Sequence, residues 1–211
     1  MKARLFAFLL LSTAAAQNFR SREIVRTNNT GRIVGGNVAT PGRYPYFALS
    51  ANNANSPGGC GGSLLLPDVV MTAAHCINSF RGDQLYVGIE DKNDLPDQVY
   101  RIRRQVSHPD FRNDNTFRYD LKLLFLEQAV TGIPPVRLGE GPDPPNVLTV
   151  VGFGNTRSGG SSSDILLEVS VPTATDNRCL TQYGGSYRSD IMYCAGQAGL
   201  DACQGDSGGP M

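Results

Sequence analysis

Gly205-Asp206-Ser207-Gly208-Gly209-Pro210 stands near the end of the 211-residue chain, and its reading decides the fold. Small residues around Ser207 allow a tight turn in which the hydroxyl is exposed and backbone N–H groups converge on one point. An ordinary glycine-rich loop has the same composition, so the segment carries chemistry only in company. A serine hydroxyl is a poor nucleophile near neutral pH and needs a base within reach. The chain has two histidines. His108 precedes Pro109 and reads as part of a polar turn. His75 lies in Met71-Thr72-Ala73-Ala74-His75-Cys76, beside a cysteine. Asp120 leads an apolar run, Asp120-Leu121-Lys122-Leu123-Leu124, where a strand-edge carboxylate is the ordinary reading.

The rest of the chain is built of short pieces. With 24 Gly and 13 Pro, and Asn, Asp and Ser between apolar runs, it suits strands joined by many turns. Strand-length segments fall at 44–50, 62–66, 69–74, 84–89, 99–106 and 121–126, then at 147–153, 166–171 and 192–195. In Tyr100-Arg101-Ile102-Arg103 the alternation has period two, so one face is buried while the arginines meet water. Residues 176–182 read as a short helix capped by Thr175 or Asp176. Residues 139–145, rich in Gly and Pro, form a seam between two lobes. An all-β body follows. Nineteen basic residues balance nineteen acidic ones without a long run of one sign, so nothing points to nucleic acid or an anionic membrane.

Lys2 and Arg4, an apolar run over 5–11 and Ala14, Ala15 and Ala16 read as a secretory signal peptide cleaved after residue 16. The run is far shorter than the ~20 residues of a spanning helix. A polar stretch over 17–32 reads as a removable leader. Export permits disulfides among Cys60, Cys76, Cys179, Cys194 and Cys203. Five cannot all pair internally: one thiol is free, or its partner is in another chain, or the sequence is incomplete.

Together these segments resemble the trypsin and chymotrypsin family of serine proteases. The match lies in Gly205 to Pro210, in Thr72-Ala73-Ala74-His75-Cys76, in Asp120 at the head of its strand, and in Ile33-Val34-Gly35-Gly36 after the basic Arg32. Four motifs occur in the family's order, and the likeness runs from Arg32 to Met211. It implies two six-stranded antiparallel β-barrels, the first over about 33–138 and the second from about 139, incomplete in this chain. It implies His75, Asp120 and Ser207 as the catalytic trio, with the N–H groups of Gly205 and Ser207 facing the oxyanion. Asp201, six residues before Ser207, matches the pocket-floor carboxylate of trypsin-like members, which selects Arg or Lys. Cutting after Arg32 would free the Ile33 amine to pair with Asp206, so activity would follow cleavage.

The same resemblance pairs Cys60 with Cys76 and Cys179 with Cys194. In the family the equivalent of Cys203 pairs downstream, and members continue well past the position of Met211, so an incomplete sequence is expected rather than a real short form. Phe153 stands where many members carry Trp. Glu90, Asp91, Asp94 and Asp97 are too irregularly spaced to support calcium, and no cofactor or metal is expected. Expected partners are protein or peptide substrates with basic residues, an activating protease and protein inhibitors, around a secreted monomer. The competing reading is a catalytically inactive secreted homologue that binds or inhibits. A structural disulfide-rich module would leave His75, Asp120 and Ser207 unexplained.

Overall fold

The structure, a computed structural model, describes residues 36–53, 55–114, 116–139, 146–155, 160–197 and 205–211. Short strands dominate: β1 (Asn37–Val38), β2 (Phe47–Asn53), β3 (Ser56–Leu66), β4 (Val69–Thr72), β5 (Gln84–Val87), β6 (Tyr100–Ser107), β7 (Lys122–Leu126), β8 (Val147–Gly152) and β9 (Leu167–Pro172). One helix, α1 (Asp176–Tyr183), and a 3₁₀ turn, Gly184–Ser186, complete the described elements.

Strands β2 to β7 close into an antiparallel barrel in the order β2-β3-β4-β7-β6-β5, with β5 pairing back onto β2. Closure leaves no open edge in this lobe. The alternation read from Tyr100 to Arg103 holds: Tyr100 and Ile102 are buried and Arg101 and Arg103 exposed. Ala48, Leu64, Val70, Phe80, Leu85, Leu124 and Leu126 fill the barrel. Strand β3 begins six residues earlier than its apolar run suggests, at Ser56-Pro57-Gly58-Gly59. A side chain at Gly58 would drive into Ser50, whose Oγ accepts the Cys60 N–H at 3.2 Å, so glycine lets the two strands close.

The second lobe is a three-stranded sheet, β1-β9-β8, among the described residues, in keeping with the incomplete second barrel that the resemblance implied. A shared core joins the lobes through Phe47, Leu49, Tyr86, Ile89, Val151, Phe153 and Leu166. Phe153 is 1% exposed and meets the Phe47 ring edge-on at 5.7 Å, filling this seam without an indole. The expected strand at 192–195 is absent. Only an isolated bridge from Ala195 to Thr173 occurs there, while Cys194 is drawn to Cys179 on α1. The helix matches its expected start, with Thr175 at the N-cap, although its side chain makes no capping hydrogen bond. No helix among the described residues is long and apolar enough to cross a membrane.

Candidate functional site

The turn after β4 is fixed from two sides. Thr72 ends the strand and donates its hydroxyl to the Gly61 carbonyl at 2.7 Å, and Ala74 is fully buried. Cys76 then forms a disulfide to Cys60 of β3. His75, held between them, meets Asp120 twice. Its ring Nδ1 lies 2.6 Å from Asp120 Oδ2, and its backbone N–H donates to Oδ1 at 2.8 Å. A carboxylate can only accept, so the proton of the shorter bond sits on Nδ1, and in the neutral ring the outer nitrogen, Nε2, carries the lone pair. That is the tautomer a proton acceptor needs.

Ser207 arrives from the other lobe. Its carbonyl accepts the Gly61 N–H at 2.8 Å, and Pro210 caps β8 by accepting the Val151 N–H at 3.3 Å. Cys76 Sγ lies 4.0 Å from His75 Nε2 and 3.8 Å from the Ser207 carbonyl, so one sulfur atom separates imidazole from serine backbone. The backbone here is unusual: Gly205 has φ 98° and Gly208 φ 78°. Side chains at those positions would be strained, and one at Gly208 would also press on the Gly61 carbonyl and the Ala73 N–H.

Asp206 is 6% exposed, and its Oδ1 accepts the Gly154 N–H at 2.8 Å. Gly152 and Gly154 have no room for a Cβ because the carboxylate fills that space. Lys92 is the nearby cation that sequence reading passed over. Its ammonium lies 5.0 Å over the Phe153 ring. Burial lowers its pKa, while the charges of Asp164 and Asp206 act in the opposite sense. Lys122, 5% exposed in β7, is lowered by burial too, against the pull of Asp120. Neither lysine has a motif signature; both were unreadable without the fold.

Among the described residues two disulfides join Cys60 to Cys76 and Cys179 to Cys194. Arg32, Ile33, Asp201 and Cys203 lie outside the described residues, as do the 1–16 and 17–32 segments and most of the 139–145 seam. Among the described residues no group of three or more His, Cys, Asp or Glu side chains is arranged to hold a metal. Glu90 instead accepts the Gly42 N–H, and Asp91 accepts that of Asn93.

A family model described as Trypsin matches residues 33–211. The chain belongs to the trypsin family. It is 37% identical to Trypsin 5G1 of Aedes aegypti over 195 residues, covering 87% of this chain and 71% of that protein. It is 33% identical to a trypsin of Saccharopolyspora erythraea, covering 85% of this chain and 81% of the relative. The fold matches that of neuropsin, a serine protease expressed in the limbic system of mouse brain, with a TM-score of 0.74 at 27% identity, over 83% of this chain and 80% of that one. Trypsin-family membership accounts for the closed barrel, the second sheet and the two disulfides together.

Proposed function

We propose that this trypsin-family chain is a serine endopeptidase that cuts after Arg or Lys through an acyl-enzyme. The single observation supporting it best is the 2.6 Å approach of His75 Nδ1 to Asp120 Oδ2, with Nε2 facing the sulfur that also touches the Ser207 backbone. In the first half-reaction Ser207 Oγ attacks the substrate carbonyl carbon while His75 Nε2 takes the hydroxyl proton. The carbonyl oxygen becomes an oxyanion facing the N–H groups of Gly205 and Ser207. Collapse breaks the C–N bond, and the same proton passes from Nε2 to the leaving amine. Water then repeats the sequence on the ester, releasing the acid and restoring Ser207. Asp120 keeps the ring in one tautomer and stabilises the imidazolium between the two transfers.

Asp201 supplies the negative charge that selects a basic side chain. The chain is exported as a precursor, and cutting after Arg32 by another protease frees the Ile33 amine to pair with Asp206, which precedes the nucleophile directly. Protein inhibitors bind the mature monomer at the same cleft. An inactive binding homologue is not favoured, because a silent protein needs neither the His75–Asp120 pair nor an intact Ser207.

The test uses a fluorophosphonate probe with matched peptides bearing Arg, Lys or Phe before the scissile bond. Labelling of Ser207 and preference for the basic peptides is the expected result, with Arg32→Gln giving a secreted, unreactive precursor. No labelling of the cleaved chain would overturn the enzyme reading. Equal cleavage after Phe and Arg would overturn the pocket assignment, and full activity of Arg32→Gln would overturn the precursor assignment.

A further inference from the structure

Residues 108–121 connect β6 to β7, and their ends are pinned where His108 N–H donates to the Leu121 carbonyl at 2.8 Å. Inside this connection Phe117 and Tyr119 take φ values of 46° and 54°. Bulky side chains rarely occupy that region, and such strain persists only where the surroundings over-determine it. The surroundings do so residue by residue. The Phe117 ring meets His75 edge-on at 5.4 Å, Tyr119 lies flat on His108 at 4.8 Å, and Asp120 binds His75. Between the two strained positions, Arg118 reaches away from its own lobe. Its Nη2 donates to the Gly185 carbonyl at 3.2 Å, in the turn that follows α1.

That anchor is itself fixed. The Cys179–Cys194 disulfide ties α1 to the segment beyond it, and the Tyr187 hydroxyl donates to Asp176 at 2.6 Å. The Arg118 charge adds to the lowering of two carboxyl pKa values, Asp114 in its own connection and Asp190 in the second lobe, and Asp190 is already held by Arg188 at 2.6 Å. Arg118 Nε–H is buried with no acceptor among the described residues. A buried donor without a partner is unfavourable, so this side chain is kept for where its guanidinium reaches and not for the sum of its own bonds.

We propose that Arg118 is a positioning residue that fastens the strained Phe117–Asp120 segment to the second lobe and thereby holds the Asp120 carboxylate on the His75 ring. The inference rests on the reading of His75, Asp120 and Ser207 given above. Removing the guanidinium releases the segment from its only described hydrogen bond to the second lobe, and the two flanking left-handed residues relax. Asp120 then orients the imidazole less tightly, although no group that touches substrate has been altered.

Arg118→Ala, Arg118→Lys and the unaltered chain are compared by steady-state kinetics on a small basic ester and by the low-field proton resonance of His75 Nδ1–H. The alanine variant is expected to lose about tenfold in kcat with KM within about twofold, the pattern of a misplaced catalytic group and not of lost binding. Its Nδ1–H resonance shifts upfield or broadens, and the lysine variant recovers part of both effects because it retains charge but not the planar fork. A native resonance in Arg118→Ala overturns the proposal, as does a loss confined to KM. If the alanine variant does not fold, a native resonance in Arg118→Lys overturns it equally. The resonance needs no turnover, so an unlabelled, inactive parent chain would sink the protease reading while this comparison still decided the role of Arg118.

Discussion

Replacing Gly208 by alanine tests whether the place of Ser207, the proposed nucleophile, is set by contact with the barrel. Gly208 has φ 78°, and an added Cβ would lie 2.6 Å from the Gly61 carbonyl and 2.9 Å from the Ala73 nitrogen. The left-handed backbone alone destabilises an alanine by about 1–2 kcal/mol. The intruding methyl must also push the Gly61 carbonyl aside, disturbing the Thr72–Gly61 bond of 2.7 Å and the Gly61–Ser207 bond of 2.8 Å. Each is worth roughly 1 kcal/mol net. The expected loss is therefore about 3 kcal/mol, or a fall in Tm of roughly 6–12 °C for a chain of this size. The methyl would also press on the Thr72 hydroxyl, and because the Gly61 carbonyl and the Ala73 nitrogen are backbone atoms that give little, Ser207 moves by a substantial fraction of an ångström. A displacement of that order lowers reactivity by about a hundredfold. Urea unfolding gives the first quantity, and the second-order rate of fluorophosphonate labelling gives the second. A variant that loses less than about 1 kcal/mol and labels within threefold of the parent would refute the claim that Gly208 seats the serine.

The two disulfides offer a matched comparison, with sequence separations of 16 and 15. Replacing either pair by serines should destabilise by about 3 kcal/mol. Only the Cys60 and Cys76 replacement should also slow Ser207 labelling by more than tenfold; equal slowing by both, measured at a temperature where each is folded, would contradict the assigned geometry. The Tyr187 hydroxyl, buried and donating to the Asp176 carboxylate, is pushed up to about 12 from 10.0. Its neutral form is favoured by the fold, so its contribution is complete below pH 10 and disappears as pH rises toward 12. Tyr187→Phe should abolish that alkaline step in a stability–pH profile, and a step of unchanged size in the variant would assign it elsewhere.

What could be read from the chain alone follows the range of the forces involved. The exposed and buried sides of β6 were legible because alternation at Tyr100 to Arg103 is a local signal. The start of β3 was not, since Pro57, Gly58 and Gly59 spell a turn until Ser50 is seen beside them. Met192 to Ala195 shows the converse: strand-like residues are drawn into another path by the bond from Cys194 to Cys179. At the site, His75, Asp120 and Ser207 stood out because their side chains belong to recognisable motifs. Gly61, Thr72, Gly154 and Arg118 act through a carbonyl, a hydroxyl, an amide or reach across the lobes, and none of those properties has a signature along the sequence.

The glycine cradle around Asp206 has a consequence for how this chain tolerates change. Gly152 and Gly154 bear no functional group, yet the carboxylate occupies the volume their side chains would need. The end of β8 is therefore a mould whose shape is read out one residue away, at Ser207. A surveyor of reactive atoms would pass over both glycines. A random mutational screen would find them among the most sensitive positions in the second lobe, and lengthening Asp206 to glutamate should be as damaging as adding a methyl group to either wall of the mould.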